Sequence, residues 1–145
     1  EWAGKNRVWR NAIAFTALAF SSFSLPADAR PAIEVLQDTT RCVATYDAAR
    51  NAAELSGHQS TVERFATEQS NWRTLLAALA QLIMTSRDLS VIPDIRQSMT
   101  KSYEEQFNLV IRSVATTDGV ILPRMHDQCR KLADEVRNAI TRPGN

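Results

Sequence analysis

The stretch from Ser60 to Ser86 has the sequence STVERFATEQSNWRTLLAALAQLIMTS and carries a continuous helical pattern. Its large side chains recur at alternating steps of three and four, which places them on one face of an α-helix that packs in a bundle. Ser60 and Glu63 have the spacing of a capping box, and Gly57 is placed to end a preceding helix. The residues of the predicted buried face are Val62, Phe65, Gln69, Trp72, Leu76, Leu79 and Ile83.

The rest of the chain is predicted to supply the helices that pack against this one. The first helix is expected from Arg30 to Ser56, with Pro31 in its first turn, where a missing N–H costs nothing. Its turn to the next helix is short, so the two helices are expected to be antiparallel neighbours. The predicted inner face of the first helix consists of Val35, Thr39, Cys42, Tyr46, Ala49 and Ala53, widened by Leu36 and Val43.

The third helix is expected to begin at Ser90 or at Pro93 and to end before Gly119, and the fourth to run from Leu122 or Pro123 to Ile140. The tail Arg142-Pro143-Gly144-Asn145 cannot continue the helix and is expected to fray. The inner face of the third helix is predicted as Ile95, Met99, Tyr103, Phe107, Val110 and Val114, and that of the fourth as Met125, Cys129, Leu132, Val136 and Ile140. The predicted fold is an all-α, antiparallel up-down-up-down four-helix bundle.

The N-terminal residues resemble a secretory signal peptide in their charge and hydropathy. A basic stretch from Lys5 to Arg10 precedes an apolar run, and Ala27-Asp28-Ala29 has the small-x-small pattern of a cleavage site. We therefore expect residues 1–29 to be a signal peptide and residues 30–145 to form one domain, in a periplasmic or secreted protein. The apolar run is shorter than a membrane span, so no stable membrane insertion is expected after cleavage. The alternatives are a short N-terminal helix of a cytosolic protein and an uncleaved anchor.

The two cysteines lie at equal heights on the predicted first and last helices. Cys42 follows Pro31 by 11 residues and Cys129 precedes Ile140 by 11, so in an antiparallel pair both lie at about the same distance from one end of the bundle. In an exported chain this arrangement predicts a Cys42–Cys129 disulfide between the first and last helices. Two free thiols, or a metal site that also uses His126, are the alternatives; the paired short spacings of structural zinc sites are absent from the sequence.

The sequence contains no arrangement that indicates catalysis. His58 lies in a turn and His126 is expected on the outer side of the fourth helix, where its neighbour Asp127 points elsewhere. Glu104 and Glu105 are consecutive on a helix and therefore diverge. From Arg30 onward 14 basic and 14 acidic residues balance, which argues against nucleic acid as a partner.

Gln69 is the polar residue of the predicted buried face in the Ser60–Ser86 helix. A single polar residue at such a position sets helix register at some cost in stability, so Gln69 is predicted as a register-setting residue of the core. Its replacement by Leu is then expected to raise stability, whereas a large loss would indicate a specific hydrogen-bond network. A simple position at the rim of the bundle is the alternative.

These observations predict an exported interaction or structural module without catalytic activity, and without a cofactor or bound metal. Its expected partner is another protein or a second copy of the chain; self-association follows if the apolar face of the Ser60–Ser86 helix exceeds what its neighbours cover. The alternative function is a carrier of a small ligand, haem or a metal in the bundle core, with Met99, Met125 and His126 as ligands.

Overall fold

The computed structural model describes residues 30–85, 92–115 and 121–141, and these form four helices. Helix α1 spans Ala32–Leu55, α2 spans Gln59–Thr85, α3 spans Ile92–Ala115 and α4 spans Ile121–Thr141. The four predicted helices are therefore confirmed. The predicted signal peptide, the turn around Gly119 and the tail after Thr141 lie outside the described residues, so the expectations for them stay predictions.

The helices alternate in direction, as predicted for an up-down-up-down bundle. Contacts between α1 and α3 advance together along both helices, whereas contacts between α1 and α4 run in opposite directions, and a short turn reverses the chain between α1 and α2. The pairs that establish these directions are Gln37–Ser98 and Thr45–Gln106 for α3, and Cys42–Cys129 and Tyr46–His126 for α4.

Gly57 ends α1 in the manner expected from the sequence. Its φ of +72° lies in the left-handed region that favours glycine. The His58 N–H donates to the Ala53 carbonyl and the Gly57 N–H donates to the Glu54 carbonyl, which is the hydrogen-bond pattern of a Schellman motif. The predicted capping box is wrong, because α2 begins one residue before Ser60.

Helix α1 lies at the centre of the bundle and packs against each of the other three helices. Every residue from Thr39 to Ala49 is buried, so the helix is covered on all sides rather than along one stripe. The sequence pattern of α2 is the more regular one, but the structure places α1, not α2, in the central position. A helix buried all round is usually apolar, whereas α1 carries several polar residues inside the core.

The buried polar groups of α1 are satisfied within the protein. The hydroxyls of Thr39, Thr40 and Thr45 donate to the carbonyls four residues earlier in the same helix. Gln37 donates to the Ser98 hydroxyl at 2.7 Å on the neighbouring α3. Such bonds remove the cost of burying these groups away from water.

Helix α3 is rotated relative to the predicted orientation. Val110 and Ile95 are buried as expected, but Val114 is 42% exposed, and Met99, Tyr103 and Phe107 are only half-buried. The face that packs against α1 is instead rich in small and polar residues. These buried residues are Ser98, Ser102, Gln106 and Ser113. The predicted inner face of α3 was therefore partly wrong, because it left out these polar residues. Their burial is possible because hydrogen bonds to α1 compensate for the loss of water.

The predicted faces of α2 and α4 agree better with the structure. On α2, Val62, Phe65, Trp72, Leu79 and Ile83 are buried, whereas Gln69 and Leu76 are half-buried. On α4, Met125, Cys129, Leu132 and Val136 are buried and Ile140 is half-buried. None of the helices in the described part of the chain is long and apolar enough to cross a membrane.

Candidate functional site

A network around Asp47 joins the three helices α1, α2 and α3. The Asp47 Oδ1 atom accepts a hydrogen bond from Gln69 Nε2 at 2.5 Å. Its Oδ2 atom accepts from Arg73 Nη2 at 2.7 Å and from the Tyr103 hydroxyl at 2.5 Å. Arg50 extends the network by donating to Gln69 Oε1 at 2.8 Å. We call these five residues the Asp47 network.

Burial and charge make the Asp47 carboxylate the centre of this network. The side chain of Asp47 is 6% exposed, whereas that of its ion-pair partner Arg73 is 58% exposed. The carboxylate thus lies in the protein interior and is compensated by one cation and two uncharged donors. Burial raises the pKa of Tyr103 well above its usual value, and the hydrogen bond to Asp47 and the charge of Asp47 raise it further, so the hydroxyl stays protonated and donates.

A second cluster surrounds the hydroxyl of Tyr46, the residue next to Asp47 on α1. This hydroxyl lies 2.6 Å from Nδ1 of His126 on α4. The ring of Tyr46 also packs against the ring of Phe65 on α2, with the centroids 6.3 Å apart. The rings of Tyr46 and His126 meet edge to face, with centroids 5.9 Å apart. Burial raises the pKa of Tyr46 well above its usual value. The cluster thus joins α1, α2 and α4 in the way that the Asp47 network joins α1, α2 and α3.

The predicted disulfide between Cys42 and Cys129 is confirmed. The two Cα atoms are 5.8 Å apart, and both cysteines are fully buried in the contact between α1 and α4. Cys42 lies four residues before Tyr46 and Cys129 three residues after His126, so the disulfide and the Tyr46–His126 hydrogen bond are one helical turn apart.

An ion-pair cluster joins α4 to the N-terminal end of α1. Arg30 donates from Nε and Nη2 to the two carboxylate oxygens of Glu135, at 3.0 Å each, and from Nη1 to Asp38 at 2.5 Å. Asp38 also accepts from Arg41 at 3.0 Å. Burial works against the charge of Arg30, but the two carboxylates outweigh it and raise the pKa of Arg30 further. This bidentate geometry is the strong form of an arginine–carboxylate pair.

The structure places Gln69 within the Asp47 network, between Asp47 and Arg50. That Gln69 sets the register of the helices stays a prediction. His126 is half-buried and bonded to Tyr46, so its predicted position on the outer side of the fourth helix was wrong. His58, Glu104 and Glu105 are exposed, as their sequence positions indicate.

The three residues named for the carrier hypothesis are spread over two helices. Met99 on α3 packs against the hydrophobic core, Met125 on α4 is buried, and Nδ1 of His126 lies within hydrogen-bonding distance of Tyr46. Within residues 30–85, 92–115 and 121–141, no group of three or more His, Cys, Asp or Glu residues is placed to hold a metal ion.

Sequence reasoning missed the central residue of the network, Asp47. An acidic residue between Tyr46 and Ala48 has no special pattern, and an acidic residue in a helix is usually a surface residue. One turn before Asp47 the residues Val43 and Ala44 are apolar, but one turn after it Arg50 and Asn51 are polar, so the local pattern does not predict a buried Asp47.

Neither a protein-family model, nor a curated protein, nor a solved structure matches this chain.

Proposed function

We propose that this chain is an exported, disulfide-closed helical module that acts by binding another protein or as a structural subunit, without catalytic activity. The observation that carries the proposal is the buried Cys42–Cys129 disulfide, because disulfides form and persist in oxidising compartments such as the periplasm or the extracellular space. The predicted signal peptide in residues 1–29 supports the same location.

The polar groups of the core support a structural or binding role. The side chains with the chemistry that an active site would use, Asp47, Tyr46 and His126, each hydrogen-bond to another helix of the bundle. Their contacts stabilise the relative positions of the helices. The balanced charge of residues 30–145 supports a partner recognised by shape and local contacts rather than by a strong electrostatic field.

Intact mass spectrometry of the protein recovered from the exported fraction of its host tests this proposal. We expect a chain that starts at Arg30 and is lighter by the two hydrogen atoms lost in the disulfide. Native mass spectrometry and light scattering of the same sample then give the mass of any complex, and a stable partner or a dimer of defined size is the expected result.

Two results would contradict the proposal. An uncleaved chain with free thiols, recovered from the cytosol, would remove the argument for export. A stoichiometric bound metal or cofactor, or a visible absorption band typical of haem, would instead favour the carrier function.

A further inference from the structure

Several links join α4 to α1 and to Arg30, which lies just before α1. We call these links together the α1–α4 contact. The Cys42–Cys129 disulfide lies within it, the Tyr46–His126 hydrogen bond is one helical turn away, and the Arg30–Glu135 ion pair lies toward the opposite end. Only the disulfide among these links is covalent. The apolar side chains that α4 buries beside it are Met125, Leu132, Ala133 and Val136.

A different set of contacts holds α1, α2 and α3 together. Asp47 bonds to Gln69 and Arg73 on α2 and to Tyr103 on α3. Further bonds of α1 to α3 are Gln37–Ser98 and Thr45–Gln106. These contacts do not include α4, and α4 follows the other three helices in the chain. A movement of α4 therefore leaves both the contacts and the chain connections among α1, α2 and α3 in place.

We propose that the Cys42–Cys129 disulfide is a redox-sensitive switch: its reduction releases α4 from α1, while α1, α2 and α3 stay packed around the Asp47 network. With the disulfide intact, α4 is fixed to the middle of α1, so it separates only by small local opening. Once the disulfide is reduced, only the non-covalent contacts oppose the separation, and opening of one cooperative unit precedes global unfolding. The proposal rests on the described contacts and not on the location of the protein.

The reductant that the switch requires is a dithiol, either a small molecule or a dithiol protein. One thiolate of the dithiol attacks a cysteine sulfur, which breaks the Cys42–Cys129 bond, forms a mixed disulfide and expels the other cysteine as a thiolate. The second thiolate of the dithiol then displaces the remaining cysteine. The dithiol ends as a disulfide, and its two electrons and two protons are now on Cys42 and Cys129.

Access to the disulfide depends on the Tyr46–His126 hydrogen bond. Both cysteine side chains are fully buried, so a dithiol reaches the sulfur atoms only through a small local opening of the α1–α4 contact around the disulfide. The Tyr46–His126 hydrogen bond is one helical turn from the disulfide, so a local opening there also breaks the bond between the Tyr46 hydroxyl and His126 Nδ1. Removing that bond therefore increases the population of the open state and the rate of reduction.

Hydrogen exchange measured by mass spectrometry, with and without dithiothreitol, tests where the protein opens. We expect reduction to accelerate amide exchange in α4 by at least about tenfold, and in the parts of α1, α2 and α3 around Asp47 by less than about threefold. The C42S/C129S variant without reductant is expected to reproduce the reduced pattern. Equal acceleration in all four helices, loss of the entire helical circular dichroism signal on reduction, or an unchanged α4 would each overturn the proposal.

The rate of reduction by excess dithiothreitol, in wild type and in two single variants, tests the role of the α1–α4 contact. Tyr46→Phe removes the bond to His126 and is expected to speed reduction about fivefold, the factor that corresponds to one neutral hydrogen bond. Ser98→Ala is the matched control, because it removes a hydrogen bond between α1 and α3. We expect a change of less than twofold for this control. Equal acceleration by both variants would mean that reduction follows global unfolding, and no acceleration by Tyr46→Phe would show that the bond does not control access.

Discussion

Asp47 and Tyr46 are adjacent in the chain, yet their side chains contact different sets of neighbouring helices. Asp47 accepts hydrogen bonds from α2 and α3, and Tyr46 contacts His126 on α4 and Phe65 on α2. Successive residues of a helix diverge by about 100°. Two neighbouring positions in the middle of α1 thus connect the central helix to all three of its neighbours.

The Asp47 network predicts a loss of stability when Gln69 is replaced by Leu. The change removes a donor from a buried carboxylate and the acceptor of Arg50, and bonds to charged groups of this kind are worth about 2 kcal/mol. Urea unfolding measures the difference. Gln81→Leu, at an exposed position of the same helix, is the control and is expected to change the free energy of unfolding by less than about 0.5 kcal/mol.

This expectation replaces the gain in stability that the sequence pattern alone suggested for the same variant. A gain would mean that Gln69 sets helix register at a cost in stability, and that its bonds to Asp47 and Arg50 contribute little. In that case the variant is expected to lose its single packing arrangement, which a broadened NMR spectrum detects.

The buried tyrosines predict a loss of stability in alkaline solution. Burial raises the pKa of both Tyr46 and Tyr103 in the folded state, so above the usual tyrosine pKa of about 10 the unfolded chain binds fewer protons than the folded chain. The free energy of unfolding therefore falls as pH rises, by up to about 1.4 kcal/mol per pH unit for each tyrosine.

Urea unfolding from about pH 8 to about pH 11 measures this slope. Tyr46→Phe and Tyr103→Phe each remove one titrating group, so each variant is expected to be less stable at neutral pH but to lose less stability on going to high pH. A slope identical to that of the wild type in both variants would contradict the assignment of the pH dependence to these tyrosines.

At the scale of the secondary-structure elements, α3 shows how far packing departs from hydrophobic periodicity. Its large side chains form a regular stripe, but the structure turns toward α1 the face that carries Ser98, Ser102 and Gln106. Small residues let two helices approach closely, and the bonds to Gln37 and Thr45 compensate the polar groups.

The orientation of α3 predicts different effects for two valines that the sequence pattern treats alike. Val110 is fully buried and Val114 is 42% exposed. Val110→Ala is expected to lower the free energy of unfolding by about 2 kcal/mol, from the two buried methyl groups and the space they leave. Val114→Ala is expected to change it by less than about 0.5 kcal/mol. Thermal or urea unfolding of both variants measures this, and equal losses would favour the orientation inferred from the stripe.

At the scale of the whole molecule, the disulfide closes the bundle between its first and last helices. The two cysteines are separated by 87 residues in sequence. A cross-link over a loop of this length restricts the unfolded chain strongly, while the folded chain already holds the two helices side by side.

Removal of the disulfide is therefore expected to lower the free energy of unfolding by roughly 4–5 kcal/mol in the chain-entropy treatment. Urea unfolding of the oxidised protein, of the reduced protein and of the C42S/C129S variant measures the loss. Unfolding midpoints that coincide for all three would contradict this contribution. If α4 opens separately, the reduced protein is expected to unfold in two steps when observed by probes on different helices.

Local patterns in the sequence are sufficient for much of this architecture. Periodicity predicts all four helices and their order, Gly57 predicts the end of α1, and equal heights on antiparallel helices predict the pairing of Cys42 with Cys129. Each of these inferences depends on residues close together in the chain or on simple helix geometry. They can therefore be made without knowledge of how the helices pack.

Three features depend on how the helices pack: which helix is central, which face of α3 is buried and where the polar core lies. Asp47 meets Tyr103 across 56 residues, and Tyr46 meets His126 across 80. A polar residue in a sequence is expected at the surface, since burying it is costly until a partner is in place. The partners of Asp47 come from other helices. Whether Asp47 is exposed or is buried with its hydrogen bonds satisfied is therefore determined only when the helices pack.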